Sequence, residues 1–416
     1  MKLLIKNGRV ISAADGIDGR LDILIEDGRI VKLAKDIKES ADSEINAENL
    51  VVSAGFCDLI ARAHEPENDG EENMLSLCRA ASRGGFTTLC LHSGATDIKQ
   101  LQYIGERKEY CSCDIIPAVR ATDGKELLNY GNLMLFSAGA AFDDEPVENP
   151  LLMRDALFRA RKYGIPLFSR CKDKAFYQGG IARKGLMAEL MDIPWIPACA
   201  ESVMVARDVT LAEDTGSPVH IANVSTAQSV EIIRRAKKNG VPVTCSTAAH
   251  YISLTSRELQ GFNTLAKLDP PLGNREDVEA LIAGIADKTV DAVCSDHHPH
   301  SDESKRMSLL SAPYGASAVE LTFPATLTAL YHGAKMELSE VLALITSAPA
   351  DILGINAGHI REGEKADLCI FDTEKEITVK GRQLISQGHN TPFEGKTLKG
   401  TVLYTIKDGR LTWQTA

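Results

Sequence analysis

The chain has 416 residues, 44% hydrophobic and 25% charged, values of a soluble globular protein large enough for one big α/β domain with an appendage or for more than one domain. No apolar run approaches the ~18 residues of a membrane span, and the formal net charge of -11 argues against a nucleic-acid partner, whose phosphates call for clustered Lys and Arg. The opening Met1 to Gly8 turns polar too soon for an export signal and the ten cysteines are scattered through apolar runs as reduced thiols would be, so the predicted location is cytoplasmic.

Short strands are predicted at Lys2 to Lys6, Leu21 to Glu26 and Ile30 to Leu33. They are punctuated by Asn7-Gly8, Asp15-Gly16 and Asp27-Gly28, pairs that tolerate the left-handed backbone of tight turns. Apolar strand-like runs then alternate with helix-length amphipathic stretches. The runs are Gly55 to Ile60, Thr87 to His92, Asp114 to Ala118, Leu133 to Ala138, Pro166 to Cys171, Pro218 to Val224, Val241 to Ser246 and Asp291 to Asp296. Helices such as Ser229 to Asn239 and Arg275 to Ala286 fill the gaps. Repeated βα units build a parallel sheet, and about eight of them fit a closed barrel. The pattern alone also admits an open doubly wound sheet, but no Gly-x-Gly-x-x-Gly follows the first strand. The chain closes with strands at Asp367 to Asp372 and Thr401 to Ile406, and with an Asp408-Gly409 turn. The predicted fold is therefore α/β: a (β/α)8 TIM barrel over residues 54–354, with a small β-sandwich module formed by residues 1–53 and 355–416.

Candidate chemistry is sparse. Cys111 and Cys113 sit close together without a second ligand pair, a weak zinc signal. His297, His298 and His300 form the one local cluster of ligand density, His64 stands beside Glu65, and His220 lies inside a strand as a satisfied core residue would.

Several segments, in order, resemble the dihydroorotase branch of the amidohydrolase superfamily. They are Gly55-Phe56-Cys57-Asp58-Leu59 with Glu65-Pro66; Gly84 to Thr88; Phe142-Asp143-Asp144; Ala200-Glu201 with Ala206-Arg207-Asp208; His220 to Thr226; Asp269-Pro270-Pro271-Leu272; Ser295 to His300; Ala312 to Gly315; Ser347 to Ala350; and Gly363 to Phe371. The resemblance implies zinc held by two histidines after the first strand and one each after the fifth and sixth. It also implies a bridging group after the fourth strand and an aspartate general base after the eighth. Matched residue by residue, the histidine positions hold Ile60, Arg62, Arg170 and Asn223, so no metal and no cofactor is predicted there. The carboxylates at Asp143 or Asp144 and at Asp296 remain. Arg62 and Arg170 are predicted to pair with Asp144 and Asp296.

Family substrate positions fall on His64, Gly94, Asp269 and Gly273, while His300 keeps its place. Asp296 is thus the candidate catalytic remnant, and His300 and His64 are the candidate substrate-binding residues. Two functions follow from the resemblance. One is a catalytically inactive dihydroorotase-like protein of pyrimidine biosynthesis, acting as a structural partner of aspartate carbamoyltransferase. The other is an active hydrolase of dihydroorotate or another cyclic amide, using Asp296 in a remodelled, metal-poor site. A ligand-binding sensor without chemistry is a third reading. A homo-oligomer is expected, because barrels of this superfamily often form dimers.

Overall fold

The computed structural model describes residues 2–65, 70–129, 131, 133 and 138–415. Eight parallel strands pair in chain order: Phe56–Ala61, Phe86–Ala95, Asp114–Val119, Ala140–Phe142, Leu167–Arg170, Val219–Ala222, Val243–Ala248 and Ala292–Cys294. They are the β half of a TIM barrel. Their apolar runs reflect burial on both faces, and all six residues of Phe56–Ala61 are buried. The first strand meets the segment just past the eighth through a parallel bridge between Ala61 and His297, with the Arg62 amide donating to the His297 carbonyl at 3.0 Å. The buried carboxylate of Asp58 secures the seam by accepting the Ser295 amide at 2.8 Å and the Ser295 hydroxyl.

Side chains fill the barrel, as this fold requires. Rings from four strands meet inside it: His92 lies 4.1 Å from Phe142, and Phe168 lies 4.6 Å from His220. His92 bonds the Leu59 carbonyl at 2.9 Å, and His220 bonds the Thr244 and Ser246 hydroxyls at 2.9 Å each, so His220 is the satisfied core residue expected. Burial drives both imidazoles down to about 3, leaving them neutral.

The predicted fourth strand, 133 to 138, falls mostly outside the described residues, and Ala140–Phe142 takes the fourth place. The eighth strand stops at Cys294, earlier than predicted, because Asp296 adopts a left-handed backbone at φ 50. Asn223, just past the sixth strand, does the same at φ 54. Asn and Asp are among the few residues that visit this region at little cost, so both side chains leave their strands at the same end of the barrel. The helices Ala227–Lys238 and Arg275–Ala286 lie where periodicity predicted them; Thr226 caps the first by accepting the Ser229 amide.

The two ends of the chain share one eight-stranded sheet. Its order is Arg410–Gln414, Thr397–Lys407, Leu368–Thr378, Val51–Ala54, Lys2–Ser12, Ile17–Glu26 and Arg29–Ala34, with Ser43–Asn46 also against Lys2–Ser12. Ile5, Ile23 and Val52 bury a separate small core with Ile370 and Ile406 from the far end of the chain. Val51–Ala54 passes through Gly55 straight into the first barrel strand. A Cβ on Gly55 would stand 2.3 Å from the Thr87 side chain, so the close approach of the two strands excludes any larger residue. Among the described residues no helix is long and apolar enough to cross a membrane.

Candidate active site at the barrel mouth

The strand ends deliver charged side chains to the mouth in pairs. Arg62, leaving the first strand, places Nη2 2.8 Å from Asp144 beyond the fourth, which is the pairing expected from sequence. Arg170, at the end of the fifth, does not reach Asp296. Its Nη2 lies 3.0 Å from the Asp269 carboxylate and donates to the Asp269 carbonyl at 2.8 Å, while Lys172 holds the same carboxylate at 2.8 Å. The physical reason is that Asp269 offers both a carboxylate and a carbonyl to the guanidinium, whereas Asp296 Oδ1 is already taken by the Asn223 amide at 2.7 Å. Burial opposes charge on both members of the Arg170–Asp269 pair. Attraction prevails, so Arg170 rises and Asp269 falls from their ordinary values.

Asp296 is pushed up to about 6 by burial, with Arg170 and Arg62 limiting the rise. Its Oδ2 lies 3.6 Å from Nε2 of His250. Among the described residues neither ring nitrogen of His250 has a hydrogen-bond partner, and burial lowers the ring to about 3. Sequence reading passed over His250, because an isolated histidine after a strand gives no spacing signal. Asn223 is fully committed: its carbonyl oxygen faces the Cys294 thiol at 3.2 Å while its amide serves Asp296. The loop that carries it is fastened by buried Glu201, which accepts the Ser225 and Thr226 amides at 3.1 Å each. Ile60 is buried and has no donor atom.

The histidine triplet divides. His297 is a fastener: its Nδ1 accepts the amides of Ala318 and Val319 at 3.0 and 3.2 Å, and its Nε2 faces Glu72 at 3.3 Å. His298 stacks on His64 with ring centroids 5.1 Å apart. His300 packs on the same His298 ring at 4.7 Å between centroids and also faces His64 and Glu71, a residue that sequence reading passed over because a lone glutamate is ordinary. His300 Nδ1 lies 3.0 Å from Glu71 Oε2, and its Nε2 is 2.7 Å from the Tyr314 carbonyl. His64 Nε2 is 3.0 Å from the Pro299 carbonyl, and its Nδ1 is 3.9 Å from the same Glu71 oxygen. Burial, then the charge of His300, lowers His64. The two sequence-predicted binding residues are therefore together, at the rim of the mouth. Cys111 stands beside Cys78, whose hydrogen bond, followed by burial, raises the Cys111 thiol and keeps it protonated, unlike a thiolate zinc ligand.

Comparison with known proteins gives a consistent family picture. Residues 42–412 match the model of the Amidohydrolase family. A protein named dihydroorotase from Acetivibrio thermocellus is 36% identical over 418 residues, covering 98% of each chain. Another so named, from Syntrophus aciditrophicus, is 36% identical and covers 100% of both. Among solved structures, the L-hydantoinase (dihydropyrimidinase) of Arthrobacter aurescens superposes with a TM-score of 0.87 at 21% identity, over 98% of this chain and 95% of its own. The dihydropyrimidinase of Brevibacillus agri gives 0.84 at 20% identity, over 99% and 95%.

Proposed function

We propose, from the premise that this chain belongs to the amidohydrolase family, that it is a dihydroorotase homologue whose barrel mouth does not perform zinc hydrolysis. In this reading it serves pyrimidine biosynthesis as a structural partner of aspartate carbamoyltransferase. The observation that carries the first half is the internal pairing of Arg62 with Asp144 and of Arg170 with Asp269. The residues at the family's zinc positions do not fit the ion. Ile60 has no side-chain ligand atom, the one Asn223 atom that could ligate is its side-chain oxygen, which faces the Cys294 thiol, and a dication would approach two guanidinium groups in a partly dry cleft.

The second half rests on the family analogy and on an apolar surface. Leu186 and Leu190, four apart on one face of the short helix Leu186–Leu190, are 68% and 70% exposed, and Trp195 beside them in the chain is exposed as well. The test is to pass the purified chain and the same organism's aspartate carbamoyltransferase together over a sizing column with light scattering. Co-elution that is lost in the double variant L186E/L190E is the expected result, and separate elution of the parent chain would sink the partner reading. The same column measures the homo-oligomer expected of a cytoplasmic barrel of this kind.

One observation favours a second reading, an active cyclic-amide hydrolase. Asp296 faces a buried, neutral His250 whose ring nitrogens have no hydrogen-bond partner among the described residues, an arrangement suited to moving a proton. Turnover of dihydroorotate within the ordinary enzyme range of about 1–1000 per second, abolished in D296N, would move this reading to first place.

A further inference from the structure

We propose that His64, Glu71 and His300 form a binding site for a zinc-type divalent cation at the rim of the barrel, distinct from the positions where the family resemblance puts its metal. One nitrogen from each imidazole and one carboxylate oxygen lie within 4.8 Å of one another. The oxygen, Glu71 Oε2, is 3.0 Å from His300 Nδ1 and 3.9 Å from His64 Nδ1. A tetrahedral zinc ion with bonds of about 2.0–2.1 Å holds its ligands about 3.3 Å apart, between these two distances. Two imidazoles and one carboxylate leave the fourth position for water or a bound molecule.

The far side of each ligand is already held. His64 Nε2 meets the Pro299 carbonyl at 3.0 Å, and His300 Nε2 meets the Tyr314 carbonyl at 2.7 Å. The other Glu71 oxygen accepts the Ser304 hydroxyl at 3.1 Å and the Ser301 amide at 3.3 Å. Such outer hydrogen bonds are what orient metal ligands and fix their tautomers. A carbonyl oxygen only accepts, so each neutral ring carries its proton on Nε2 and turns a bare Nδ1 lone pair toward the same carboxylate oxygen. With both rings neutral, three acceptors converge with no proton among them. A cation seated between them satisfies all three. The competing state is a second proton on His300, which makes a plain ion pair with Glu71. Arg62, the guanidinium whose charge reaches His64, is already engaged by Asp144.

The experiment titrates zinc chloride into chelator-stripped full-length chain at pH 7.5 by calorimetry, beside E71Q, H64A, H300A, S304A and D296N, each checked for unchanged circular dichroism. One zinc per chain is expected, weakened at least about 100-fold in E71Q, H64A and H300A, about 10-fold in S304A, and unchanged in D296N. X-ray absorption of the loaded chain should show two imidazoles bound to the ion. Absence of saturable binding, or binding lost in D296N and kept in E71Q, overturns the site. No dihydroorotase assay enters, so the result stands apart from the proposed function.

Discussion

At the centre of the barrel mouth Arg62, Arg170 and Lys172 reach Asp144 and Asp269 through contacts of 2.8 to 3.0 Å, whereas at the rim the Glu71 carboxylate faces two imidazoles and, among its described ion pairs, no Lys or Arg. The centre balances its charge with its own side chains. The rim presents acceptors whose balance comes from outside, as a proton or a metal ion. Removing a partner should therefore cost folding stability at the centre, while at the rim it should change what binds.

The largest expected effect is at Arg170. Replacing it with alanine leaves the Asp269 side chain, 13% exposed, with Lys172 as the one cation among its described ion pairs, and should cost about 3 kcal/mol in urea unfolding. A loss below about 0.5 kcal/mol would mean that the centre is not held by its ion pairs, and the contrast with the rim would collapse.

Asp296 comes next. The folded chain raises its carboxyl to about 6, above the unfolded value, so the native state binds the proton more tightly. Stability from this group is full below about pH 4 and is lost as pH rises through about 6. D296N removes that dependence. The variant should be about 2 kcal/mol more stable than the parent at pH 8, with the gap closing near pH 4, in denaturant titrations across that range. A constant gap would place the titrating group elsewhere.

The smallest effect is expected at Arg62, because the Asp144 side chain is 36% exposed and water screens the pair. R62A should cost about 1 kcal/mol. It should also leave zinc binding unaltered, since Ile60 and Asn223 remain poor ligands. If R62A left stability untouched and by itself created a second zinc site at the centre, the idea that its charge fills the metal position would be wrong.

The fold was legible because parallel strands buried on both faces leave apolar runs, and seven of the eight predicted runs overlap the observed strands. The shortness of the eighth was not, since the left-handed turn at Asp296 depends on the bond it makes with Asn223. At the centre, Arg62 could be matched to Asp144 from charge alone. Arg170 could not be matched to Asp269, because competition from Asn223 for Asp296 is a three-dimensional fact. The rim was the least legible: His64 and Glu71 follow the first strand while His300 follows the eighth, more than two hundred residues later in the chain, and no spacing rule joins them. Only the two histidines were named beforehand, for another role.

Gly55 joins a sheet that holds both ends of the chain to the strand that opens the barrel, and its amide donates to the Asp367 carbonyl at 2.8 Å. Val51–Ala54 pairs with Leu368–Thr378, more than three hundred residues later. On a ribosome the segment leading into the first barrel strand therefore waits for about three hundred further residues before this neighbour emerges, long after Phe86–Ala95 is there to pair with Phe56–Ala61.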